Sequence, residues 1–357
     1  MKNRIALIAL TVALLLQTAC TNNDIANAES DTAGDTTVDT VADITTEPAE
    51  AGSISLTDQA GRTVELDKPA ETIVSCYYVS SYAVMALGLS DRMVGIENKA
   101  ASRPIYQLSA PDFLELPAVG TMKESNVELI ASLEPELVIM PQKLSEAAQT
   151  LTDLGLSVIL VNPENHEDLC AMLSLIGEAC GVSDAADKLI DYYDTQMDKL
   201  TELTADTEKP TVYLGGNSSY LTTAPADMYQ SSLIDLAGGV NAGDALDGDY
   251  WTEVSYETIL TYDPDVIVIP SGADYTADDI RADSQLAALT AVQNDAIYAM
   301  PSQLEEWDSP IPSGILGAMW MTSVLHPDVY TSDTFIADAT AFYETFYGFT
   351  PAADLLQ

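Results

Sequence analysis

The first strong pattern in the chain begins near residue 54. Ile54 to Leu66 alternates apolar and polar positions around Asp58–Gly61, which predicts a β-hairpin. Short, largely apolar runs follow at 73–76, 93–96, 137–140 and 158–161. Between them, helical spacing covers 80–87, 127–133 and 145–154, with Gly88 and Gly155 as stops. Strands that are apolar throughout and alternate with helices predict a parallel sheet covered on both faces. From His166 to about Leu203 the pattern is helical and long, with Cys170, Leu173, Ile176 and Cys180 on one face and an interruption at Gly181. The first pattern then restarts, with strands at 211–214, 266–269 and 296–299 and helices at 231–237 and 256–262. The predicted fold class is α/β: two Rossmann-like lobes with central parallel sheets, over 53–165 and 209–357, joined by a single long interlobe helix within 166–208. One larger α/β domain is the alternative.

The chain ahead of this differs in kind. Lys2 and Arg4 precede an apolar run, Ile5 to Leu16, that is far short of the ~20 residues needed to cross a bilayer. Small residues and Cys20 follow, so residues 1–19 read as a secretory signal. Residues 21 to 52 are acidic and small, with no Lys, Arg or aromatic residue, and cannot bury a core. They read as a tether. The Cys20 region resembles the lipobox of bacterial lipoproteins, although Gln17 stands where leucine is usual. That resemblance implies a diacylglyceryl cysteine and an address on the outer face of the cytoplasmic membrane; an ordinary signal peptide is the alternative.

The charge narrows the function classes. Thirteen basic against 56 acidic residues give −43, a field that repels phosphate backbones and anionic lipid. Nucleic acid is excluded as a partner, and membrane contact is left to the lipid anchor. Cys170 and Cys180 lie about 15 Å apart along one helix, too far for a disulfide. A directly bound metal wants several imidazoles, and only His166 and His326 exist. No Gly-x-Ser-x-Gly elbow, phosphate loop or His-Glu-x-x-His helix is present, so an exported enzyme is the weaker reading.

Three blocks of residues then carry a family resemblance. The first is Asp58, Gly61, Arg62, Val64, Pro69-Ala70, Ile73–Ser75 and Ala86-Leu87-Gly88. The second is Leu116–Gly120, Asn126-Val127-Glu128 and Leu133–Ile139; the third is Leu236–Gly239, Val254–Glu257 and Asp263–Ile269. In this order they resemble the substrate-binding proteins of bacterial ABC importers for iron–siderophore complexes, cobalamin and haem. The resemblance implies a monomer that captures a metal chelate between two lobes, ferric siderophore first, cobalamin or haem second. The protein itself carries no cofactor in that reading. It also implies that Glu128 and Glu257 dock onto arginines of the permease, which works with an ATPase. Read without it, they are two exposed acids favoured by the helix macrodipole.

Ligands of open α/β sheets bind beyond the carboxyl ends of the strands. The loops there are rich in Tyr77, Tyr78, Tyr220, Tyr250, Trp251 and Trp307, able either to line a cleft for a flat chelate or to pack the interior. The resemblance aligns Trp251 with a ligand-facing tryptophan of the cobalamin binder, and leaves Met122 or a tyrosine for a haem iron. Cations are scarce, and beyond Lys209 the only one is Arg281. Lys99, Lys123 and Lys143, with Arg103 as a bidentate donor, are therefore candidate counter-charges for an anionic ligand; solvated loop lysines are the alternative. The loop Glu306-Trp307-Asp308-Ser309-Pro310 either presents Trp307 and Asp308 to ligand or starts a helix, with Pro312 in its first turn.

Overall fold

The computed structural model describes residues 53–357 apart from Asp249. The signal, the tether and Cys20 lie outside the described residues.

The opening hairpin pairs β1 (Ile54–Thr57) with β2 (Thr63–Leu66). Its turn is held by a buried carboxylate. Asp58 accepts from the backbone N–H of Ala60 and Arg62, pairs with the Arg62 guanidinium at 2.7 Å and accepts from Leu160 N–H. The Asp58–Arg62 unit thus fastens the hairpin to the sheet beside it, since Arg62 also donates to the Val158 carbonyl at 2.7 Å.

That sheet is built as the apolar runs predict. β3 (Ile73–Ser75) leads into α1 (Tyr78–Ala86), and β4 (Met93–Gly95) into α2 (Pro104–Ser109). A tight hairpin of β5 (Gly120–Thr121) and β6 (Glu124–Ser125) precedes α3 (Val127–Ser132), β7 (Leu137–Pro141), α4 (Ser145–Asp153) and β8 (Val158–Val161). The four main strands are parallel in the order β4-β3-β7-β8. Successive residues serve opposite faces, and both faces are buried: Leu137 and Ile139 join the central core, whereas Val138 and Met140 join a smaller outer one.

The helix expected over 166–208 is two helices, α5 (His166–Ala179) and α6 (Ser183–Thr204). The chain breaks where Gly181 takes a φ of +68°, which ends α5 and lets α6 set off in a new direction. The thiols of Cys170 and Cys180 are both free.

The second half contains β9 (Thr211–Gly216), β10 (Ser219–Thr223), α7 (Tyr229–Leu236), β11 (Val240–Asn241), β12 (Thr252–Glu253) and α8 (Tyr256–Tyr262). It continues through β13 (Val266–Ile269), α9 (Ala277–Ala282), α10 (Thr290–Gln293) and β14 (Ile297–Ala299) to α11 (Ile315–Leu325) and α12 (Ser332–Phe346). β11, β9, β13 and β14 run parallel. β10 and β12 are an antiparallel extension that the apolar runs did not foretell, because their residues are only half-buried. Pro312 lies ahead of α11, whose N-cap is Gly314.

The largest hydrophobic cluster runs through both halves, from Leu56 to Leu356. Tyr193 of α6 is one of its fixings: its hydroxyl donates to the Ile311 carbonyl at 2.7 Å and accepts from Ile315 N–H. The helical segment is therefore part of a continuous core, and Glu50–Gln357 forms one compact unit.

Candidate functional site

The carboxyl ends of β3 and β4 bring Cys76, Tyr77, Tyr78, Glu97 and Lys99 to one edge of the first sheet. A cavity of about 330 Å³ opens there, lined by Tyr78, Glu97, Asn98, Lys99 and Arg103, with Thr121, Met122 and Lys123 from the β5–β6 hairpin. Five of the residues singled out in the sequence meet in it: Tyr78, Lys99, Arg103, Met122 and Lys123. Lys99 and Lys123 are exposed at its rim.

Arg103 is the organising group. Its guanidinium carbon lies 4.0 Å from the centre of the Tyr78 ring, a cation–π placement. Nη1 donates to the Tyr82 hydroxyl at 3.1 Å, and Nε stands 3.4 Å from Oε1 of Glu97. Tyr77, Tyr78, Tyr82, Tyr106 and Phe113 form a run of edge-to-face rings with centroids 5.2–5.6 Å apart. Of these rings only Tyr78 lines the cavity; Tyr82, Tyr106 and Phe113 are buried behind it and leave it little rotamer freedom to lose on binding.

Glu97 is the charge that sequence reasoning missed. It is buried, and its carboxylate accepts from Ser81 at 2.6 Å and Tyr106 at 2.8 Å. Burial pushes its carboxyl above the usual range, while those two donors and Arg103 pull it back. Ser81 in turn bonds Ser75, which meets Ser80, so the acid is braced from the start of α1. A lone acid after a short strand carries no sequence signal, because its partners come from two other elements, α1 and the start of α2.

The second half supplies the loop after β14. Glu306 reaches back toward Arg103 and Tyr82. Its neighbours Glu305 and Asp308 are buried without a cationic partner, and burial raises them to about 7 and about 6 respectively. Tyr343 and Tyr347 donate to Glu305.

Other candidates stand elsewhere. Trp307 is not a cleft residue: it is 1% exposed, its ring packs on Phe335 and its N–H donates to Tyr343 at 2.9 Å. Asp308 is likewise buried rather than presented. Lys143 is exposed on the turn after β7, away from the cavity lining. Tyr220 is tied to Asp283 at 3.0 Å, a carboxylate that Tyr256 also engages. Tyr250 is 72% exposed, and Trp251 is half-buried against Gly216, where a side chain would crowd its ring. Tyr77 flanks the cavity through its contact with Tyr78.

Direct metal capture has no built site among the described residues, where no group of three or more His, Cys, Asp and Glu is placed to hold an ion. Cys76 touches the cavity, yet burial pushes its thiol up to about 12. His326 is buried against the Gly238 carbonyl, and His166 starts α5 stacked on Tyr193.

With this geometry in view, comparison with known proteins is informative. Residues 73–304 match the model of the periplasmic binding protein family. An uncharacterized ABC transporter substrate-binding lipoprotein of Bacillus subtilis is 25% identical over 292 residues, covering 79% of this chain and 88% of its own. A molybdate-binding protein of Haemophilus influenzae is 21% identical over 320 residues, 82% of this chain and 90% of its own. A vitamin B12-binding protein of Vibrio cholerae is 24% identical over 238 residues, 65% of this chain and 81% of its own. Among solved structures, a periplasmic solute-binding protein of Veillonella parvula superposes with a TM-score of 0.74 at 26% identity, covering 85% of this chain and 95% of that one.

Proposed function

The chain belongs to the periplasmic binding protein family, and from that premise we propose that it captures an anionic metal chelate of the ferric-siderophore type. It is a solute-binding protein of the ABC-importer kind and not an enzyme. The observation that carries the ligand reading is Arg103. In a chain of −43, one guanidinium lies over the Tyr78 ring in the cavity lining, and two of the few lysines stand at its rim. A chelate with peripheral anionic oxygens and a broad apolar body answers both features.

A molybdate-binding relative is in keeping with an anionic ligand, and a vitamin B12-binding relative with a large chelate. Cobalamin is the second reading, favoured by the half-buried Trp251 ring at the second sheet.

In this reading the chain is exported and anchored through a lipid on Cys20, with residues 21–52 as tether, and Glu128 and Glu257 meet the permease. Among the described residues no helix is long and apolar enough to cross a membrane. Titrating the purified protein with ferric chelates, cyanocobalamin and molybdate, followed by tryptophan fluorescence, tests the proposal. Silence toward every ferric chelate would overturn it.

A further inference from the structure

Glu306 approaches Arg103 without closing on it. Its Oε1 lies 3.6 Å from Nη1, and its Oε2 lies 3.5 Å from the Tyr82 hydroxyl. A settled bidentate arginine–carboxylate pair would sit nearer ~2.8 Å. The side chain is 42% exposed, so it can swing away without unpacking a core. Glu97, on the other side of the guanidinium, has both oxygens engaged by Ser81 and Tyr106. Nε of Arg103 is buried on the Glu97 side, 3.4 Å from Oε1. The cleft therefore holds a cation flanked by one fixed carboxylate and one loose one.

We propose that Glu306 determines which anions the cleft accepts, by acting as a built-in competitor for Arg103. This deepens the function proposed above and rests on the same residues. A small anion offers Arg103 little more than Glu306 already does, and meets the repulsion of that carboxylate at close range. A chelate with several oxygens takes the Nη groups from the side that Glu306 holds, and its body packs on Tyr78. Glu306 is then displaced toward solvent. The device rejects simple extracellular anions while letting a polydentate ligand in.

The experiment compares wild type with Glu306→Gln, using inorganic phosphate and ferric tris(catecholate) as separate probes in calorimetry at fixed ionic strength. Glu306→Gln is expected to bind phosphate where wild type does not, and to bind ferric tris(catecholate) about tenfold tighter. A neutral ferric tris(hydroxamate) should change less than about twofold, because it has no charge to be repelled. The double variant Glu306→Gln with Arg103→Gln should lose the phosphate binding again, which places the effect at the guanidinium. Phosphate binding that is the same in wild type and Glu306→Gln overturns the inference. Failure of all ferric chelates to bind either protein, with phosphate binding still gained, overturns the siderophore reading and leaves the competitor role standing.

Discussion

Glu128 and Glu257 occupy the same position in two copies of one local structure. Each is the second residue of a short helix whose N-cap side chain, Asn126 or Ser255, accepts from the N–H three residues on. Each helix is followed by an acid at positive φ, Glu134 at 48° or Asp263 at 39°, then a proline and a parallel strand. Both glutamates are exposed, and a carboxylate in the first turn is stabilised by the macrodipole without needing a cationic neighbour.

Two exposed acids presented by matching helix starts suit a role in docking. Glu128→Arg and Glu257→Arg are each expected to lower ligand uptake by cells about tenfold or more, with affinity for ligand in solution unchanged. Uptake that survives the double substitution would remove the docking role.

The rim lysines separate by position. Lys99→Glu and Lys123→Glu, which reverse charge at the cavity, should each weaken an anionic chelate about tenfold, close to 1.4 kcal/mol. Lys143→Glu should cost less than about threefold, since its side chain lies outside the lining. Equal losses for all three, measured by fluorescence titration at one ionic strength, would show only a general field effect.

Glu305 makes stability depend on pH. Its carboxyl is raised from 4.5 to about 7 by burial, so the folded chain favours the protonated form. That preference is fully present below about pH 4.5 and is lost as pH rises to about 7, a change of about 3 kcal/mol. Asp308 acts in the same sense between 3.8 and about 6. Urea denaturation from pH 4.5 to 8 should show stability falling, with a shallower fall in Glu305→Gln. Parallel curves for the two proteins would contradict this.

Gly120 begins the hairpin that carries Met122 and Lys123 into the cavity. Its φ is +136°, and a Cβ there would meet Ser125 Cα at 2.6 Å. Gly120→Ala should lower stability by about 2 kcal/mol and weaken ligand binding at the same time. Unchanged melting temperature and affinity would mean that the hairpin adjusts freely.

Most of the parallel strands were legible as short apolar runs bounded by turns, whereas β11, two residues long, was not; the Gly181 break was visible as an interruption. What escaped had no such pattern. A helix was read after the Glu306–Pro310 loop, but the bounds of α11 were not, because it is apolar all round and has no period. The β5–β6 hairpin has strands of two residues each. In the site, Arg103, Lys99 and Lys123 stood out because cations are rare here, whereas Glu97 was one acid among 56. Trp307 misled because an aromatic residue after a strand looks the same in sequence whether it faces the cleft or the core. Only its contacts with Phe335 and Tyr343 decide.

In the proposed function the guanidinium of Arg103, over the Tyr78 ring, receives the anionic oxygens of a metal chelate. Arg103→Gln removes the charge and keeps a polar side chain of related shape. Titrated with ferric tris(catecholate), the wild-type protein is expected to bind at micromolar levels or below, and Arg103→Gln about a hundredfold more weakly, close to 3 kcal/mol. Equal affinity in the two proteins, or binding of cyanocobalamin alone, would contradict the account.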